Sequence, residues 1–278
     1  MFAVASLGIF ARKISSSDLH PKIQIEKIGI IADIHAASQQ LRKASNEENI
    51  VHPNDYTTVL PETLDKIKNE KADAVIDLGD HTNNSSRKHA TNIRQMIEGK
   101  GFLPVWVKGN HDSDGAEDDD EGEFLESKEN DETNIMKVLG APGRYYYFDR
   151  GNWRIIVLDS SEEPGEVFYQ GGLSVVQIDW LKKALDNEKD VLVAMHHPIF
   201  DKETRQYVYP IYENLEKIFS QSGNVKYVFS GHWHTPYWEK EYNGIRYFGI
   251  PALTLESQTG FYKIIELPSL YYDSYEPS

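Results

Sequence analysis

Five short runs in this chain place groups of one chemical kind directly after an apolar stretch. They are Asp33 and His35; Asp80; Asn110 and His111; His196 and His197; and His232 and His234. Seven of the ten histidines (His35, His81, His111, His196, His197, His232, His234) lie in or beside these runs. Singly, each run has an ordinary explanation, since Asn, Asp and Gly-Asp are common in turns. Their recurrence does not. Imidazole, carboxylate and amide oxygen without thiolate suit Mn, Fe, Zn or Ni, and suit Ca²⁺ or Cu(I) poorly. The donors are too many for one ion. Two ions take about seven or eight donor contacts when a carboxylate bridges them, and a pair roughly 3.5–4 Å apart is the usual device for displacement at phosphorus.

Donors so far apart in sequence meet only if strands deliver them to one edge. Open α/β sheets place their sites at the C-terminal ends of strands. Residues 28–32 (Ile-Gly-Ile-Ile-Ala) form a continuous apolar run, as expected of a strand buried on both faces, and end at Asp33. Residues 74–78 lead into Gly79-Asp80, and 102–107 into Lys108-Gly109-Asn110-His111-Asp112. Residues 191–195 lead into His196-His197-Pro198, and 225–229 into Gly231-His232-Trp233-His234. Gly109 is expected to let the backbone turn. Helices are expected over 56–70, with Leu60, Leu64 and Ile67 on one face, and over 86–99. Residues 144–149 and 153–159 read as a hairpin across Arg150-Gly151-Asn152. Residues 174–185 read as a helix with Ser174 and Gln177 as a capping box and Val176, Ile178, Leu181 and Leu185 as its apolar stripe. A further helix over 211–219 and closing strands over 245–250 and 261–265 complete a layered α/β domain with mixed sheets.

Composition narrows the function classes. The chain has 278 residues and a net charge of −15, which opposes binding to nucleic-acid phosphates. It has no cysteine, so disulfides, thiolate metal sites and cysteine nucleophiles are excluded. Residues 112–132 hold twelve acidic side chains and one lysine, a net −11, and are expected to form a solvated loop. Residues 1–24 read as an N-terminal arm or a degraded signal segment, 25–267 as the domain, and 268–278 as a loose tail. No segment is apolar enough to cross a bilayer. A cytoplasmic location is expected, with export the alternative if residues 1–13 are a signal remnant.

The motifs Asp33-x-His35, Gly79-Asp80, Gly109-Asn110-His111-Asp112, His196 and Gly231-His232-x-His234 resemble, in order and spacing, the calcineurin-like metallophosphoesterase superfamily. The resemblance implies a four-layer α/β/β/α sandwich and hydrolysis of a small phosphate ester by attack of metal-bound hydroxide. It implies that Asp33, His35 and His234 bind one divalent ion, that Asn110, His196 and His232 bind the other, and that Asp80 bridges them. His111 would face the phosphate and act as catalytic donor. Asn83, Asp112 and His197 stand as substrate-binding or supporting residues, and His81 as structural or rim. Ser/Thr protein phosphatases carry an aspartate where Asn83 stands, so His111 lacks that carboxylate partner. Gly-Asp-x-x-Asn with Gly-Asn-His-Asp is closest to the cyclic-nucleotide and glycerophosphodiester phosphodiesterases. A phosphomonoesterase is the alternative, followed by a nuclease and a non-catalytic scaffold. Arg87, Lys88, the loop 161–172, and Lys202, Arg205 and Tyr207 in 201–209 are candidates for specificity, with Trp233 and Tyr237 as stacking platforms.

Overall fold

Three parallel strands carry the first half of the motifs. In the computed structural model, which describes residues 21–37, 55–83, 85–113, 134–162, 170–200, 210–254 and 258–272, β1 (Pro21–Ile31) lies parallel to β2 (Ala74–Asp77), and β2 to β3 (Leu103–Trp106). Along β1 and β2, successive side chains enter different layers. Ile31 and Val75 face outward to helices, whereas Ile30 and Ile76 face inward to the other sheet. A strand sandwiched in this way must be apolar on both faces, which is why these segments show no alternation.

The second sheet is built from β4 (Tyr146–Arg150), β5 (Trp153–Val157), β6 (Asp190–Ala194), β7 (Val225–Ser230), β8 (Trp238–Tyr242) and β9 (Ile245–Gly249), in the order β4-β5-β6-β7-β9-β8. Its four inner strands are parallel and its two edge strands antiparallel. Ile28, Ile30, Ile76 and Val105 of the first sheet share a core with Ile155, Leu192, Phe229 and Phe248 of the second. Helices α1 (Tyr56–Asn69), α2 (Arg87–Gly99) and α3 (Asn134–Leu139) pack outside the first sheet through Leu60, Leu64, Ile93, Ile97 and Leu139. Helices α4 (Val175–Leu185) and α5 (Pro210–Ser222) cover the second through Leu181, Leu185, Tyr212 and Phe219. The result is an α/β/β/α sandwich of two mixed sheets.

Several expectations change. β1 begins at Pro21, inside the segment read as an arm, and β10 (Lys263–Tyr272) runs through the segment read as a loose tail. The two pair antiparallel from Pro21↔Tyr272 to Ile30↔Lys263, so each supplies the other's backbone hydrogen bonds. The Trp153 Nε1–H adds a bond to the Pro268 carbonyl at 2.9 Å. Asn243 and Gly244 both adopt positive φ (50° and 76°), as a two-residue hairpin turn requires, and join β8 to β9, a hairpin the sequence reading passed over.

Ser174 caps α4 by accepting from the Gln177 N–H at 3.1 Å, but Gln177 does not reach back. The Ser174 N–H instead donates to Glu162, and the Gln177 side chain is spent on Asp159. Val176 is exposed, because the helix turns Gln177, Leu181, Ala184 and Leu185 inward. Residues 114–133 and 201–209, and so most of the acidic run and Lys202, Arg205 and Tyr207, lie outside the described residues, as does the N-terminal segment 1–20. No helix among the described residues is long and apolar enough to cross a membrane. Ending the chain at Leu267 removes half of the β1–β10 ladder and is expected to lower Tm by roughly 5 °C, measured by calorimetry.

Candidate metal centre

All five motif-bearing strand ends meet at one edge of the sandwich. The first sheet's connections stay in register past its strands: the Asp33 N–H donates to the Gly79 carbonyl (3.0 Å) and the His35 N–H to the Asp80 carbonyl (2.9 Å). The two sheets are tied there as well. The His232 N–H lies 3.0 Å from both carboxylate oxygens of Asp33, and the Leu253 N–H donates to the Ala32 carbonyl at 2.8 Å. Asp33, His35, Asp80, His232 and His234 all have φ between 44° and 72°, the left-handed region that non-glycine residues seldom adopt. Such backbone turns each side chain sharply off its strand axis, and it clusters at functional sites.

Two groups of donors form. One donor atom each from Asp33, His35, Asp80 and His234 lie within 4.8 Å of one another, as do one each from His196, His197 and His232. Asn110 Oδ1 joins the second group, 3.0 Å from His196 Nε2 and 3.1 Å from His232 Nδ1. Asp80 Oδ2 stands between the groups, 3.5 Å from His35 Nε2 and 3.2 Å from His196 Nε2. Its Oδ1 accepts the His111 N–H at 2.9 Å.

Hydrogen bonding behind the rings selects their tautomers. His35 Nδ1 contacts Asn83 Oδ1 at 3.3 Å and His196 Nδ1 contacts the Leu78 carbonyl at 2.9 Å. Both partners only accept, so both Nδ1 atoms carry hydrogen and each Nε2 keeps its lone pair for the cluster. That is the usual arrangement behind a metal-ligating histidine. The donor set therefore fits divalent transition ions: lone pairs of nitrogen and oxygen converge from five strand ends, with no thiolate among them.

The electrostatics agree with a cation site. Burial would raise the Asp80 carboxyl, but the imidazoles of His196, His111 and His35 outweigh it and hold the group well below the ordinary carboxylate range. Burial would lower His196, yet Asp80 and Asp33 raise it to about 9. Burial and the neighbouring His196 push His232 down to about 3. A field that draws a proton onto one buried imidazole is a field that favours positive charge at that point.

The remaining sequence candidates divide clearly. His111 sits beside the first group, its ring 4.8 Å from that of His35. Its Nδ1 lies 3.0 Å from the Asn83 carbonyl. The aspartate missing at Asn83 is thus replaced by that residue's own backbone oxygen, which fixes the tautomer, while its side chain holds His35. Asp112 is a brace. Its carboxylate accepts the N–H groups of Gly109 (2.9 Å), Asp80 (3.0 Å) and His81 (3.1 Å), binding the second motif to the third. His81 is fully buried rather than on a rim, 2.8 Å from Asp112 through Nδ1. Burial lowers His81, but Asp112 and Asp77 raise it to about 9.

Tyr237 has one face stacked on Phe261, with ring centroids 5.4 Å apart. His197 is buried with its ring 4.4 Å from that of His232, and burial holds it well below the ordinary imidazole range. Its anchor, Ser160, was missed by the sequence reading. The signal available was a sixth polar strand end, Leu158-Asp159-Ser160, that carries no imidazole.

Gly109 serves close approach rather than a turn. A Cβ there would lie 2.1 Å from Asp80 Oδ1 and 2.3 Å from the Asp80 backbone nitrogen, and the backbone has nowhere to retreat. Gly109→Ala is expected to leave the circular dichroism spectrum unchanged while lowering Mn²⁺ content after dialysis, measured by elemental analysis, to half of wild type or less. Full metal content would show that Asp80 tolerates the displacement.

Known proteins bear on this geometry. A 3′,5′-cyclic-nucleotide phosphodiesterase of Nostoc sp. is 27% identical over 241 residues, covering 84% of this chain and 80% of the relative. A 3′,5′-cyclic adenosine monophosphate phosphodiesterase of Pseudomonas aeruginosa is 28% identical over 142 residues, 50% of this chain and 45% of the relative. Among solved structures, a dimetal phosphatase from Danio rerio matches with a TM-score of 0.60 at 17% identity, covering 83% of this chain and 88% of that one. A purple acid phosphatase from yellow lupin seeds matches with a TM-score of 0.53 at 16% identity, covering 92% and 47%. At these identities the two structures speak to the fold. The model of the calcineurin-like phosphoesterases matches residues 26–236, a span that takes in every strand end from Asp33 to His234, and the chain accordingly belongs to that family and is a phosphoesterase.

Proposed function

We propose that this chain hydrolyses small phosphate esters, phosphodiesters foremost, using two divalent transition ions of the Mn, Fe, Zn or Ni type. The observation that carries the reading is Asp80 Oδ2, placed within 3.5 Å of an imidazole nitrogen from each of two donor groups. In this reading Asp33, His35 and His234 hold one ion, Asn110, His196 and His232 hold the other, and Asp80 serves both. The ions, when bound, supply Lewis acidity toward the phosphoryl oxygens and activate water.

The chain's own residues do the rest. Hydrolysis forms a bond from water oxygen to phosphorus and breaks the bond to the leaving alcohol, which needs a proton. His111, held through Nδ1 by the Asn83 carbonyl, presents Nε2 as the hydrogen-bond and proton donor to that side of the phosphate. A backbone carbonyl carries less charge than a carboxylate, so this imidazole is a weaker base when free and a more willing donor when protonated. Asp112 keeps Asn110, His111 and Asp80 in one rigid unit. The diester preference is supported by the names of the two enzyme relatives and by the Gly-Asp-x-x-Asn pattern. The net charge of −15 disfavours polynucleotides and leaves small esters.

The Mn²⁺-loaded protein is expected to turn over bis-p-nitrophenyl phosphate faster than p-nitrophenyl phosphate, with EDTA abolishing both. Asp80→Asn indistinguishable from an EDTA-insensitive wild type would defeat the reading, and the reverse substrate order would make it a monoesterase. The roles of neighbouring residues separate in a second measurement. Asn110→Ala is expected to lose metal from one site. His111→Ala is expected to keep its metal and to lose about 10²–10⁴-fold in kcat, the usual worth of a positioned proton donor. Equal metal loss in both variants would contradict the assignment.

A further inference from the structure

β5 ends beside β6 in the second sheet, yet it supplies none of the donors. Its continuation stays beside β6, where the Leu158 N–H donates to the Ala194 carbonyl at 3.0 Å. Asp159 and Ser160 follow, both fully buried. We propose that these two residues are the positioning element that fixes the Asn110-His111 turn of the first sheet against the His196-His197 turn of the second. The inference rests on the phosphoesterase reading of the site and names residues outside its donor set.

Asp159 reaches the first turn through Lys108, two residues before Asn110. Lys108 is fully buried, and its Nζ has no hydrogen-bond partner among the described residues. Its ionic partner is Asp159 Oδ2, at 3.8 Å. Arg144 Nε donates to the same oxygen at 2.7 Å, and the Ser161 N–H donates to Oδ1 at 2.9 Å. Gln177 grips the Asp159 backbone twice, accepting its N–H at 2.9 Å and donating to its carbonyl at 3.0 Å. Asp159 is therefore held from α4, from β5 and from Arg144 before it meets Lys108.

Ser160 reaches the second turn. Its Oγ accepts the His197 N–H at 3.0 Å and lies 2.9 Å from His197 Nδ1. The pair is closed over by Gly171, where a Cβ would lie 2.4 Å from the Ser160 carbonyl oxygen and 2.5 Å from His197 Nδ1. His197 in turn packs on His232 and on His196, with ring centroids 4.4 and 5.0 Å away. Its Nε2 is buried with no hydrogen-bond partner among the described residues, so Ser160 is its hydrogen-bonding anchor.

Energetics favour a positioning role over a stabilising one. A buried ammonium with one long ionic contact recovers little of its desolvation. Such a contact is a poor way to hold a fold together. It does specify where the turn bearing Asn110 stands relative to the second sheet.

The test is a double-mutant cycle with Ser160→Ala and Lys108→Met, each loaded with Mn²⁺ and assayed on bis-p-nitrophenyl phosphate. Each single variant is expected to lose about 10–100-fold in kcat, as residues behind a metal's ligands do. KM should stay within about twofold and Mn²⁺ content should match wild type. Tm should move by only a few degrees. The double variant should lose no more than the worse single one, because both break one linkage.

Losses that multiply, or a lowered Tm with kcat unchanged, would overturn the proposal. Should Lys108→Met fail to fold, Ser160→Ala decides alone, a retained kcat counting against it. A wild type silent toward both aryl esters would instead count against the proposed function. The Mn²⁺ EPR spectra of wild type and Ser160→Ala would then still decide: a changed line shape supports the linkage and identical spectra overturn it.

Discussion

The Asp80 carboxylate divides its two oxygens between two tasks. Oδ1 takes the His111 N–H and so belongs to the loop after β3, while Oδ2 faces imidazoles from both sheets. For one side chain to do both, its backbone must leave β2 in the left-handed region, and Gly109 must give it room. Asp112 then draws the N–H groups of Asp80, His81 and Gly109 onto a single carboxylate, so that two loops move as one. The rest of the sandwich carries that unit to the edge of the second sheet and holds it there.

Five of the donor residues adopt left-handed backbone, on the order of 1–3 kcal/mol apiece for residues other than glycine. This strain has to be offset by the layers behind. The offset is visible in the three cores, where Ile28, Ile30, Ile31, Val75, Ile76 and Val193 are fully buried immediately before the loops that carry strain. Rigid strands and unfavourable turns are thus adjacent by design of the topology. The strands stop, the chain turns sharply, and the donor is aimed.

Much of this was legible in the sequence, and for a definite reason. Parallel strands buried on both faces leave unbroken apolar runs, and their C-terminal ends are where polar residues become tolerable, so Asp33, Asp80, Asn110, His196 and His232 announce themselves by position and type. What escaped notice lacked that contrast. Asn83 was marked by its side chain, but its hold on His111 runs through its backbone carbonyl, which no side-chain identity encodes. Lys108 and Asp159 are charged residues in the interior, and charge in sequence normally signals a surface. Gln177 satisfied a capping pattern that local rules explain well, while tertiary structure used its side chain elsewhere. The Asn243-Gly244 hairpin was readable from its dipeptide alone. The pairing of β1 with β10 was not, because nothing local in either segment refers to the other.

That last pairing shapes how the molecule comes into being. On a ribosome, β10 emerges long after β1, yet in the finished sheet they are neighbours. During synthesis β1 therefore has β2 on one side and a bare edge on the other, the kind of edge that invites pairing with foreign strands. The strand that presents Asp33 and His35 is thus exposed to misassembly until β10 arrives. Its half of the donor cluster is secured only when β10 is delivered, so maturation of this centre waits on a strand made after every one of its donors.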